Sequence, residues 1–163
     1  MTRINSSINV KRLTDEHLLA EHREIKRLPS AYLKRKESNK GFDDIPSKFT
    51  LGEGHVNFFL DKYKFTLFRY FSIRAECLSR GFMVADYSSG WTNVVGHEFW
   101  KDYKPTEAEN KLLTFRIAQR LMNSPKPFWH YHGQQITKQQ AVRLLLYGTY
   151  EPRKRNRKAV SGT

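Results

Sequence analysis

The stretch HVNFFLDKYKFTLFRYFSIRAECLSR, residues 55–80, decides the fold. Val56, Leu60, Tyr63, Leu67, Phe71 and Leu78 recur at helical spacing, which predicts one long helix from about His55 to Arg80. Gly81 follows as its C-terminal cap, because glycine enters the left-handed region without steric cost. Upstream, Gly41, Pro46, Gly52 and Gly54 punctuate residues 37–54 and mark a loop. Before that loop, Thr14-Asp15-Glu16 opens a first helix, with a hydroxyl to cap free amides and two acids at the positive end of the dipole. Leu18, His22 and Ile25 share its inner face, Pro29 is expected to stop it, and a short basic helix is expected over Ser30–Lys36. Downstream, residues 83–105 read as irregular. Thr106-Glu107-Ala108-Glu109 is a capping box that starts a third helix, with Ala108, Leu112, Phe115, Ala118 and Leu121 facing in and Asn123-Ser124-Pro125 at its end. Thr137-Lys138-Gln139-Gln140 is a second capping box and opens a helix through Leu146. The expected fold class is all-α: a single compact domain of about three main helices plus a short C-terminal helix and a basic tail.

The chain of 163 residues suits one domain and buries roughly 70% of its unfolded surface, enough for a core without a disulfide or metal staple. Its single cysteine, Cys77, excludes an internal disulfide and fits a reducing compartment. No run approaches the ~18 apolar residues of a membrane span, and the opening Met-Thr-Arg-Ile-Asn-Ser-Ser has no signal-peptide core. A cytoplasmic protein with no membrane partner is expected. The 29 Lys and Arg outweigh the 16 Asp and Glu, giving a net charge of +13. That excess points to a polyanion, most simply nucleic acid, and the 13% of aromatic residues supplies rings that can stack on bases. Residues 151–163 carry Arg153, Lys154, Arg155, Arg157 and Lys158 against one acid, Glu151, and are expected to form a disordered tail that raises nonspecific affinity for DNA.

Four constellations can carry chemistry, each beside a plainer reading. Once the initiator methionine is removed, the α-amine of Thr2 would titrate near ~7.7–8.0, so much of it is a neutral nucleophile at pH 7. An ordinary chain terminus looks the same. His17, Glu21 and Glu24, at i, i+4 and i+7, share a helix face beside the basic pair Arg23 and Arg27. A carboxylate among arginines can stabilise a developing cation or move a proton; a solvated face laced with ion pairs has the same spacing. Arg116 and Arg120, also i and i+4, can clamp a phosphate or simply be surface charge. In the run FWHYHG, residues 128–133, Trp129 and Tyr131 can pack on a base or close an apolar patch over the helices. There is no GxxxxGK[ST] loop, no HExxH and no cysteine-based zinc pattern, and no companion ligands stand out beside His130 and His132.

Taken together, the motifs resemble the phage endonuclease V family, pyrimidine-dimer DNA glycosylases with lyase activity. The matching stretches are MTRIN at 1–5, HLLAEHRE at 17–24, LGEGHVNFF at 51–59, DK at 61–62, AECLSRGF at 75–82, RIAQR at 116–120 and PFWHYHG at 127–133. The resemblance implies a compact all-α domain over residues 1–133, with 134–163 as a C-terminal extension. It implies that the nucleophile is the α-amine of Thr2 and the essential carboxylate Glu24. It places DNA contacts at Arg3, His17, Arg23, Arg27, Arg116 and Arg120, with Trp129 and Tyr131 beside the DNA. The implied partner is double-stranded DNA carrying UV damage or abasic sites, handled by a monomer without a metal or cofactor. The alternatives are the same chemistry on another damaged or modified base, and a DNA-binding relative that has lost catalysis. The sequence departs from the family pattern in extra residues around Leu121–Lys126, in His130 and His132, and in its continuation past Gly133.

Overall fold

A computed structural model describes residues 4–52 and 54–150. Thr2, Arg3 and the basic tail expected over 151–163 lie outside the described residues. Helix α1 (Asp15–Ile25) begins where expected: the Thr14 hydroxyl accepts the His17 amide, and Asp15 and Glu16 occupy the first turn. Pro29, however, does not stop it. The chain turns at Lys26 and re-enters a helix at once, α2 (Arg27–Glu37), with Pro29 in its first turn, where no intrahelical N–H is needed.

The stretch that decides the fold forms two helices instead of one, α3 (Gly54–Phe58) and α4 (Tyr63–Ser79). Phe58, Phe59 and Leu60 are all buried, which consecutive residues 100° apart on a helix at the edge of a core cannot achieve. The chain therefore unwinds there, and the turn is fixed from outside: Lys62 donates to the Phe58 carbonyl at 2.8 Å and Lys101 pairs with Asp61 at 2.9 Å. The inner face of α4 holds Tyr63, Thr66, Arg69, Tyr70, Ile73, Glu76 and Cys77, whereas Phe71 and Leu78, which belong to the helically spaced apolar series, are exposed. Gly81 does end the helix, at φ +82°, with the Phe82 amide donating back to the Cys77 carbonyl. Within 83–105, expected to be irregular, two short 3-10 turns form at Ser88–Asn93 and His97–Phe99; the first buries Trp91, whose indole N–H donates to the Thr66 hydroxyl at 3.1 Å.

Helix α5 (Glu107–Asn123) starts on its predicted capping box, but its buried residues are Leu113, Ile117 and Leu121. Leu112 and Phe115, expected inside, face solvent, Phe115 with 62% of its surface exposed. After it, the aromatic run forms an antiparallel hairpin, β1 (Trp129–Tyr131) and β2 (Gln134–Ile136), with Trp129 opposite Ile136. The turn residues His132 and Gly133 have φ +49° and +74°, the pair of positive values that a two-residue type I′ turn requires. The all-α expectation is corrected to that extent: six α-helices and one small two-stranded sheet among the described residues. Helix α6 (Lys138–Tyr147) starts on the second predicted capping box and ends at Gly148, which is left-handed.

The boundary expected at Gly133 runs through this hairpin. Ile136, Ala141, Leu144 and Leu145 join the same buried core as Ile4, Leu18 and Ile117, and α6 packs on α5. The hairpin is fastened to the N-terminus of α1. The Asp15 carboxylate accepts the amides of His132 and Gly133, and Glu16 accepts the His130 amide and faces its ring. Arg80, whose side chain is wholly buried, bridges Asp15, Glu76 and the Leu13 carbonyl beneath.

Candidate active site

Helices α1 and α5 flank a cavity of about 280 Å³. Its lining is Asn5, His17, Ala20, Glu21 and Glu24 from the N-terminal half, and Arg116, Ile117 and Arg120 from α5. The i, i+4, i+7 spacing on α1 and the i, i+4 spacing on α5 thus put two carboxylates opposite two guanidinium groups. Of the residues singled out from the sequence, His17, Glu21, Glu24, Arg116 and Arg120 come together here.

The two carboxylates are held differently. Glu21 is buried and accepts four hydrogen bonds: from the Asn5 backbone N–H at 3.0 Å, the Asn5 side-chain amide at 2.9 Å, and Arg69 Nε and Nη2 at 2.9 and 3.0 Å. Glu24 keeps 29% of its side chain exposed and pairs with Arg27 at 2.9 Å. The ring of His17 is set by the Thr14 hydroxyl, 2.9 Å from its Nδ1, and by stacking on Trp129 at 5.1 Å and 18° between planes. Trp129 lies behind His17 and does not line the cavity: it is 6% exposed and donates its indole N–H to the Leu121 carbonyl. Tyr131 is also away from the cavity, its hydroxyl donating to the Lys11 carbonyl and its ring under Arg80; burial pushes its phenol up. Arg23, on α1, and Arg27, the first residue of α2, are exposed and do not line the cavity. Thr2 and Arg3 lie outside the described residues.

Helical spacing puts Glu21 on the same face as Glu24 and does not tell the two apart, and nothing in the spacing singles out Asn5, His55 or Arg69. The Ile4 N–H donates to His55 Nε2 at 2.9 Å, and the other ring nitrogen lies 3.0 Å from the Thr50 carbonyl. Nε2 therefore accepts and Nδ1 donates, the neutral tautomer, and burial lowers the imidazole's pKa further from its ordinary value. Arg69 also donates to the Ile8 carbonyl at 2.6 Å. One signal for this cluster was present in the sequence: Arg69 is the one cation on the buried face of α4, which otherwise carries Tyr63, Thr66, Tyr70, Ile73, Glu76 and Cys77, and a cation there needs a buried anion.

Cys77, the sole thiol, is buried and its pKa is pushed up to about 11 by desolvation, so it is not an activated nucleophile. Among the described residues, no three His, Cys, Asp or Glu side chains converge as metal ligands, and no helix is long and apolar enough to cross a membrane. The family profile described as pyrimidine dimer DNA glycosylase matches residues 1–88. That stretch contains the N-terminal segment and helices α1 to α4, hence Glu21, Glu24, His55 and Arg69; Arg116 and Arg120 lie beyond it and join the site through the packing of α5. The match spans more than half of the chain, which therefore belongs to the pyrimidine dimer DNA glycosylase family, DNA-repair enzymes that act on UV-damaged DNA.

Proposed function

We propose that the protein is a bifunctional pyrimidine-dimer DNA N-glycosylase and AP lyase whose nucleophile is the α-amine of Thr2. The observation that carries this reading is the position of Asn5 in the cavity that also holds Glu24, Arg116 and Arg120. From Ile4 to Thr2 the chain spans at most about 7 Å, a reach that lets the terminal amine enter the cavity that Asn5 lines. The amine attacks C1′ of the damaged nucleotide, the C1′–N bond breaks, and the base departs with the bonding electrons and takes up a proton. Opening of the sugar ring leaves a protonated imine between Thr2 and C1′. Glu24 stabilises this cation and assists proton transfer. The imine acidifies the C2′ proton; its removal expels the 3′ phosphate oxygen by β-elimination and cuts the strand.

Arg116 and Arg120 hold phosphates across from Glu24, with Arg3, Arg23 and Arg27 extending the contact along the backbone. The substrate is double-stranded DNA, which the enzyme bends to reach the sugar; a poorly stacked lesion costs less to open, which favours damaged sites. The enzyme acts as a monomer. Incubation with UV-irradiated duplex and borohydride is expected to trap a covalent protein–DNA adduct by reducing the imine. Absence of an adduct with both UV-irradiated and abasic duplex overturns the imine mechanism, and an intact mass that retains Met1 removes the nucleophile.

A further inference from the structure

We propose that Asn5, Glu21, Arg69 and His55 form a positioning device for the N-terminal amine, a role that rests on the reading of Thr2 as nucleophile. Segment 4–8 is gripped from three helices at once. From α3, His55 accepts the Ile4 amide; from α1, Glu21 accepts both the backbone and the side-chain amide of Asn5; from α4, Arg69 donates to the Ile8 carbonyl. The Ile8 amide closes a turn on the Asn5 carbonyl at 3.0 Å, and the Ile4 and Ile8 side chains are buried in the core. Chain termini usually fray unless tied down, and this one is tied within three residues of its proposed reacting atom.

The chemistry of the clamp argues for orientation over stability. A buried ion pair costs several kcal/mol per ion to desolvate, and an apolar pair of similar volume is commonly as stable or more so. In Glu21–Arg69 the carboxylate directs two of its four hydrogen bonds to Arg69 and the other two to Asn5. The pair fixes the direction of a backbone N–H, which apolar side chains cannot do. His55 adds the neighbouring amide, and its neutral tautomer is the form able to accept it. An amine held in attack geometry reacts as though at very high local concentration, and a misplacement of about 1 Å costs up to about 100-fold. Asn5, Glu21, Arg69 and His55 are accordingly positioning residues, acting on the sugar only through the placement of Thr2.

The test compares single-turnover rates of borohydride-trapped adduct on a saturating abasic duplex. Asn5→Ala removes one side-chain hydrogen bond and leaves the Glu21–Arg69 pair in place. It is expected to slow trapping about 10- to 100-fold at saturation, with DNA affinity within about twofold of wild type and the melting temperature nearly unchanged. Arg69→Lys keeps the charge but loses the two-pronged contact and is expected to slow trapping similarly; should it fail to fold, Asn5→Ala decides alone. A trapping rate for Asn5→Ala within about threefold of wild type, or a deficit that more DNA abolishes, overturns the positioning role. Wild-type protein with its α-amine blocked by selective acetylation separates the two levels of the argument. If the blocked protein still traps DNA, the reading of Thr2 falls and the clamp with it. If blocking abolishes trapping while Asn5→Ala traps at the wild-type rate, Thr2 stands and only the clamp falls.

Discussion

Glu21 and Glu24 stand three residues apart on α1 and line the same cavity, yet their surroundings suit them to opposite tasks. Glu21 has 1% of its side chain exposed, and four donors, two from Arg69 and two from Asn5, occupy its oxygens. Glu24 is 29% exposed, with one ion pair to a half-exposed arginine. A carboxylate with all its acceptor sites filled is a structural tie, and one with open sites at a cavity wall can meet a substrate cation or carry a proton. The difference is made by α4, whose Arg69 reaches Glu21 and not Glu24; α1 by itself treats the two alike.

The widest separation between the two is expected in rate. Glu24→Gln keeps shape and removes charge, and should lower the single-turnover cutting of abasic duplex by about 10²- to 10⁴-fold, the span general acid–base groups supply. Its melting temperature should barely move, since the substitution keeps the shape and a partly exposed ion pair contributes about 0–1 kcal/mol. DNA affinity measured by anisotropy should persist. Full activity in Glu24→Gln would leave the cavity without its proposed carboxylate and reverse the comparison.

Stability should separate the pair in the other direction. Arg69→Met leaves Glu21 buried and uncompensated, a loss of about 3–5 kcal/mol that lowers the melting temperature by roughly 6–20 °C in a chain of this size. Adding Glu21→Leu should recover part of that loss, because the desolvation penalty goes with the charge while the two Asn5 N–H groups lose their acceptor. Calorimetry on the single and double variants decides it. A double variant no more stable than the single would mean that the contacts of Glu21 to Asn5 and Arg69, and not the orphaned carboxylate, govern stability.

The same clamp carries a pH signature through His55, with His22 as a second buried histidine of lowered pKa. In both, desolvation disfavours the charged ring in the folded state. At pH above the unfolded value near 6.5, both states are neutral and stability is complete. As pH falls below about 6.5 the unfolded chain takes up protons that the folded chain refuses, so stability declines until the lowered folded values are reached. Each histidine contributes a slope of up to about 1.4 kcal/mol per pH unit in that window. Urea unfolding from pH 7.5 to 5 should show the decline, and His55→Gln should make it shallower; an unchanged slope would mean that His55 titrates normally.

The capping signals read true because they are local. Thr14, Thr106 and Thr137 cap as expected, since a hydroxyl and the next three residues settle the matter among themselves. Where several apolar stripes compete, spacing could not choose. On α5, Leu112 and Phe115 made as good a helical stripe as Leu113, Ile117 and Leu121, and only the tertiary packing, which buries the latter three, decides between them. The break at Phe59–Lys62 was hidden because helical spacing continues through it, while its cause, Lys101 and Trp100 pairing back onto Asp61 and Lys62, lies some forty residues away. The cavity was half legible. Helix periodicity gave each arginine or carboxylate pair its face, but nothing in the sequence pairs α1 with α5, and Glu21 became distinct from Glu24 only through Arg69, 48 positions along the chain.

Arg27 offers the smallest and sharpest contrast, because it stands to Glu24 as Arg69 stands to Glu21. Its side chain is 55% exposed, against 8% for Arg69. Arg27→Ala should therefore cost no more than about 1 kcal/mol, a shift of a few degrees in melting temperature. If Arg27 meets a phosphate, as proposed, its loss should also reduce the slope of log affinity against log salt by about 0.9, the counterions released by one contact to duplex DNA. Salt titration of DNA binding measures the second effect and calorimetry the first. A melting temperature that fell as far as in Arg69→Met would break the inference that burial, and not the chemical identity of the ion pair, assigns one glutamate to the fold and leaves the other for the substrate.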